Sequence, residues 1–147
     1  MEEYSVNNIS FFHGDILKLN HLEERFDVIQ CGGVLHHLAD PLEGWAILRD
    51  LLKPNGVMQI DLYSKIARQD VTRQREMIAQ LKMEPTPDNI RRYRQALMTR
   101  EPDTTVVRSY DFFTLSMCRD LLFHCQEHQF TWPQIQESCD QLGLEFI

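Results

Sequence analysis

Apolar and polar positions divide this chain into two regions of different character. Phe26-Asp27 leads into Val28, Ile29 and Cys31, an almost continuous apolar run of the kind a strand shows when helices bury both its faces. Gly32-Gly33 ends that run. Leu42, Trp45, Leu48 and Leu52 then recur at helical spacing behind Asp40-Pro41, which supplies an N-cap and a first-turn proline. Pro54-Asn55-Gly56 turns the chain into a second strand over 57–62. Strand, helix and strand at this length predict a parallel pair joined by a right-handed crossover. Upstream, Asn7-Asn8 and Gly14-Asp15 bracket residues 9–13, which read as a further short strand.

Beyond Ser64 the pattern turns charged and helical. Helices are predicted over 66–81 and, entered through Thr86-Pro87, over 87–98. A third is predicted over 114–129, where Cys118, Leu121, Leu122 and Cys125 share one face, so both thiols are expected in the core. Thr131 and Gln134 have capping-box spacing ahead of an Ile135, Cys139, Leu142 stripe. Gly143 stands where a helix end wants a left-handed residue. Residues 144–147 read as the start of another strand. Three segments result: a sheet unit over 1–64, a helical segment over 65–131, and a last helix with its strand over 132–147.

Composition narrows the function classes. The 147 residues are 43% hydrophobic, enough to bury a core. A net charge of -7 argues against a nucleic-acid partner, since such binders need clustered cations. No apolar run is long enough to span a bilayer, and no basic, apolar leader opens the chain, so no membrane partner and a cytoplasmic setting are expected. Cys31, Cys118, Cys125 and Cys139 lack paired spacing, which favours free thiols. The basic cluster Arg91, Arg92, Arg94 and Arg100 reads as a solvated helix face, with clamping of an acidic acceptor as the alternative.

One short motif carries chemistry by itself. His124-Cys125-Gln126-Glu127-His128 fits H-x-x-E-H, and on a helix its two histidines would share a face as zinc requires. Neither Glu137 nor Glu145 is marked as a third ligand, so a zinc hydrolase ranks third among the readings and no metal site is expected.

The larger signal is Gly14-Asp15-Ile16, then Phe26 to Pro41 with its Val34-Leu35-His36-His37 core, then Leu51 to Leu62. This series resembles the class I methyltransferases that use S-adenosylmethionine, over about the first half of the chain. The stretch from Tyr110 to Ile135 is similar to the segment that follows the methyltransferase core in a bacterial group, some of whose members are fused to tetratricopeptide repeats. The family strand order is 3-2-1-4-5-7-6. The resemblance therefore implies an α/β fold: a partial Rossmann-like doubly wound parallel sheet holding strands 3, 4, 5 and the start of 6, with an appended helical segment. The GxGxG turn of the family does not occur here, and Gly32-Gly33 lacks its spacing, so a truncated domain is expected. Strands 3 and 4 are not neighbours in the family sheet, which makes self-association through exposed sheet edges an expectation.

The resemblance also implies roles. S-adenosyl-L-methionine is the cofactor. Asp15 would accept a hydrogen bond from the adenine amino group and the Ile16 backbone would meet a ring nitrogen; the alternative for Asp15 is a solvent-facing turn residue. Cys31, Gly32 and Gly33 would let backbone approach the methionine moiety, with Leu35 near the sulfur side, or would simply form a tight strand-to-helix connection. His36 is the candidate general base, and His37 reads as a capping or packing histidine. Tyr63 and Ser64, after the second strand of the crossover, are candidate acceptor-side residues. The methyl acceptor is open. The runner-up function is a non-catalytic, degenerate domain serving as an interaction module.

Overall fold

The computed structural model describes residues 7–147. Strand β1 (Phe26–Cys31) and strand β2 (Leu52–Ile60) pair in parallel, with Val28 opposite Val57 and Cys31 opposite Ile60. Helix α1 (Pro41–Asp50) connects them. Asp40 caps α1 as predicted, its carboxylate accepting the Leu42 N–H at 2.9 Å, and Pro41 occupies the first turn. The register breaks between Phe26 and Val28, where Pro54-Asn55-Gly56 loops out of β2 with Asn55 at φ 63°. The predicted turn is thus a wide irregularity inside a longer strand. This β1–α1–β2 unit is the partial Rossmann-like α/β arrangement that the sequence implied.

Helix α6 (Trp132–Leu142) returns to pack beside α1, and Arg49 reaches across to donate to the Leu142 carbonyl at 2.9 Å. Gln134 accepts the Thr131 N–H at 2.9 Å at its start, and Gly143 closes it at φ 65°, with the Leu144 N–H bonded back to the Cys139 carbonyl. Both helices lie on one face of the sheet. Trp45, Leu48, Cys139 and Leu142 form a core with Cys31 and Leu35, flanked by Ile29, Met58 and Ile60.

The remaining helices build a second core. These are α2 (Gln69–Gln80), α3 (Pro87–Arg100), the single turn α4 (Thr105–Arg108) and α5 (Leu115–Phe123). Val71, Ile78, Ile90, Leu97, Phe112, Cys118 and Leu122 interlock there. Tyr93 is buried with them and its hydroxyl donates to the side-chain carbonyl of buried Gln74 at 2.8 Å, so a polar pair sits inside an apolar helix junction without an orphaned group. α3 starts on Thr86 as expected and runs two residues past the predicted end.

Four expectations are corrected. Residues 9–13 form no strand; their backbone is irregular and Phe11 and Phe12 are each 91% exposed, because no described strand pairs with them. Residues 144–147 likewise begin no strand. Among the described residues β1 is covered on one face only: Ile29 and Cys31 point into the core while Val28, 65% exposed, faces out. The helix predicted over 114–129 stops at Phe123, where His124 turns extended and its Nδ1 captures the Gln126 N–H at 3.1 Å, a side-chain bond that competes with helix continuation. As a result Cys118 is buried and Cys125 is exposed, although the sequence placed both in the core.

Candidate functional site

The carboxyl ends of β1 and β2 carry the chemistry-bearing residues. After Cys31 the chain passes Gly32 and Gly33, both exposed, and drops into a 3₁₀ turn, Leu35–His37. Gly33 sits at φ 72°, a region in which a side chain is strained, and open space surrounds the position its Cβ would take. At Gly32 a Cβ would come within 2.7 Å of the Asp61 carboxylate. The two glycines therefore leave backbone bare beside a carboxylate. Leu35 buries its whole side chain in the sheet core. Cys31 is buried too, and desolvation pushes its thiol above the ordinary value, which makes it inert as a nucleophile.

His36 is 1% exposed. Its Nδ1 lies 3.3 Å from the Asp61 carbonyl, which can only accept, so Nδ1 carries the proton and Nε2 presents a lone pair with no protein partner. Desolvation, then the neighbouring His37, hold its pKa below the ordinary histidine value, and the ring is neutral near pH 7. Tyr63 stacks on it at 3.9 Å between centroids, and the Arg68 guanidinium lies 3.7 Å over the other ring. Burial raises the Tyr63 phenol, with Arg68 opposing. The structure thus brings Cys31, Gly32, Gly33, His36 and Tyr63 to one end of the sheet.

Asp15 and Ile16 open a separate 3₁₀ turn, Ile16–His21, which packs beside α1. Asp15 is exposed and one carboxylate oxygen caps that turn by accepting the Leu17 N–H at 3.0 Å. Ile16 leans on the sheet core. Ser64 makes an isolated parallel bridge with Phe130, and its hydroxyl accepts the Ala67 N–H.

The segment 124–130 is what the sequence did not reveal. Having left the helix, it lies across the strand ends and bonds to them by backbone: His128 N–H to the His36 carbonyl, Phe130 N–H to Tyr63 and Lys65 N–H to Phe130. Gln126 donates from its side chain to the His37 carbonyl at 3.1 Å, and its own carbonyl accepts from His37 Nδ1 at 3.0 Å. Glu127, with a side chain 2% exposed, is clamped between Arg68 and Arg75, each at 2.7 Å. Desolvation raises its pKa, but bonds from Arg68 and Gln129 and the charge of Arg75 outweigh that and hold it below the ordinary carboxylate value. The H-x-x-E-H glutamate is therefore a structural anion rather than a free base, and its two histidines do not sit on one helix face. Of the arginine cluster, Arg91 pairs with Asp88, Arg94 donates to the Phe113 carbonyl and Arg100 to Gln74 and Glu101, so these three serve local structure.

A cavity of about 760 Å³ opens beside this end of the sheet, lined among others by Tyr63, Asp111, Asp120, Phe123, His124 and Cys125. Apolar rings with a few carboxylates and an imidazole suit a small polar or cationic molecule. Among the described residues no helix is long and apolar enough to cross a membrane.

Comparison with known proteins agrees with this region. Residues 1–58 match a family described as a methyltransferase domain. Over 83 residues, 56% of the chain, it is 38% identical to an uncharacterized protein of Synechococcus sp., of which it spans 20%.

Proposed function

We propose, from the premise that residues 1–58 belong to the methyltransferase-domain family, that this chain is part of an enzyme that transfers a methyl group from S-adenosylmethionine to a small acceptor. The cofactor supplies an electrophilic methyl group on a sulfonium. What the chain's own residues contribute is orientation, water exclusion and a proton site. Gly32 and Gly33 offer bare backbone for close approach, and Asp15, exposed with one carboxylate oxygen free of its cap bond, suits an amino donor. A carboxylate acceptor and bare backbone are group types that suit the cofactor's amino and methionine parts. The methyl acceptor belongs in the cavity lined by Tyr63, and Ser64 follows Tyr63 in the chain without lining that cavity. His36 stays neutral, and its Nε2 is buried and unpaired, so it is the candidate proton site of this reading rather than a group lining the cavity.

The single observation that carries this reading is the family match ending on β2, together with the exposed glycines at the carboxyl end of β1. Ligands of open α/β sheets bind outside such strand ends. The test is a calorimetric titration of the folded chain with S-adenosylhomocysteine. Saturable binding, weakened about tenfold or more in Asp15→Ala, is expected from loss of a charge-assisted bond. No heat of binding from a chain with native circular dichroism overturns the reading for this chain.

A second reading rests on the outer edge of β1, which no described strand pairs and which leaves Phe26 and Val28 exposed. An unpaired edge with an apolar flank favours addition of a strand from another copy. Under it, sedimentation shows a concentration-dependent dimer that Val28→Lys dissolves.

A further inference from the structure

His37, Asp120 and His124 each offer one ligand atom, and the three atoms lie within 4.8 Å of one another. They come from three places: the 3₁₀ turn after β1, the last turn of α5, and the residue at which α5 ends. Asp120 and His124 stand one helical turn apart, and folding brings His37 to them. The two imidazoles face each other at 4.1 Å between centroids, and the Asp120 carboxylate lies 3.8 Å from His124 Nε2.

The surroundings are those of a ligand rather than a packing histidine at His37. Its Nδ1 donates to the Gln126 carbonyl, which leaves Nε2 with its lone pair outward. Ligating histidines are oriented by such a bond from the other ring nitrogen to a backbone carbonyl. The Gln126 side chain returns a bond to the His37 backbone carbonyl, so residues 37 and 126 are joined twice. His36 packs edge-on behind it at 4.3 Å. In front lies the 760 Å³ cavity, lined by the other two members of the trio.

We propose that His37, Asp120 and His124 bind a divalent transition-metal ion of the zinc class, with a remaining coordination position open to the cavity. Two imidazoles and one carboxylate suit zinc, cobalt or nickel, and three protein ligands with one open position are the pattern of sites that engage a further molecule. Coordination through His124 Nε2 shifts that ring's proton to Nδ1 and displaces the Gln126 N–H from it, the one internal bond that must give way. The site differs from the H-x-x-E-H reading in its membership. His128 takes no part, since its N–H is bonded to the His36 carbonyl and its ring is not among the three, and Glu127 is held by its two arginines.

The test uses the chain in a Cys125→Ser background, which removes the exposed thiol as a competing ligand. After dialysis against chelator, zinc is titrated by calorimetry and cobalt by its visible absorption. One ion per chain is expected, with cobalt bands of a nitrogen and oxygen set. His37→Ala and His124→Ala each weaken zinc by about 100-fold or more, beyond the 10- to 100-fold typical of losing an outer partner. Asp120→Asn, at a side chain 58% exposed that folding tolerates, weakens it by about tenfold. His128→Ala leaves it unchanged. Absence of saturable binding in the folded chain, or loss in His128→Ala with retention in Asp120→Asn, overturns the proposal.

Discussion

The sheet unit and the helical segment solve the same problem to different degrees. In the helical segment, α2, α3 and α5 meet around Phe112, Leu97 and Cys118, each with no exposed surface, and even the buried polar pair Gln74 and Tyr93 is internally bonded. In the sheet unit, α1 and α6 cover one face and the other stands open, with Val28 and Val57 exposed along it. A helix buries a single stripe and is satisfied by one neighbouring group of helices, whereas a parallel strand has two faces and two edges to cover. The candidate site residues sit where the two regions meet, at the strand ends that the segment 124–130 crosses.

This contrast can be broken most forcefully in the helical core. Phe112→Ala is expected to lower stability by about 3 to 5 kcal/mol, since a fully buried aromatic leaves a cavity that neighbours do not fill; a urea midpoint that does not move would remove the claim of a tight core. Glu127→Gln strands the partly buried Arg68 and Arg75 and should cost on the order of 3 kcal/mol. The same pair predicts acid sensitivity. Because the folded pKa lies below the ordinary 4.5, the pair's stabilisation is fully present above pH 4.5 and is lost as pH falls through the lower folded value. Denaturant midpoints measured across that window should slope in the native chain and flatten in Glu127→Gln.

Effects in the sheet unit should be smaller. Asp40→Ala removes the α1 cap and should cost about 1 kcal/mol, read as a drop in the midpoint of thermal unfolding. Val28→Thr on the open face should change stability by no more than about 0.5 kcal/mol. A large loss there would mean that the face is covered in solution, and would favour association through the sheet over an open surface.

Local signals in the sequence were legible wherever a few neighbouring residues decide the outcome. Asp40-Pro41, Thr86-Pro87 and Gly143 each marked a helix terminus correctly, because caps are settled within one turn. The crossover and its family resemblance followed from the same stretch. Long-range partners were not legible. Residues 9–13 have strand-like composition, but a strand exists only if another pairs with it. Cys125 lies on the periodic face of α5 by spacing, yet His124 ends the helix one residue earlier by binding the Gln126 N–H. The i, i+4 spacing of Asp120 and His124 brings those two together, but nothing in the sequence indicates that His37 meets them. His124 was singled out, but within a motif whose other histidine is not among the three.

The backbone seam between 124–130 and the strand ends has a kinetic meaning. His128 and Phe130 give their amide hydrogens to carbonyls of the sheet unit, and the buried Glu127 just before them ties the same seam to α2 and its N-cap through Arg75 and Arg68. Lifting this segment would break those bonds and strip a carboxylate of its two cations in one event, so it opens as a block or not at all. Hydrogen exchange at these amides should then report the parting of the two regions instead of a local flicker.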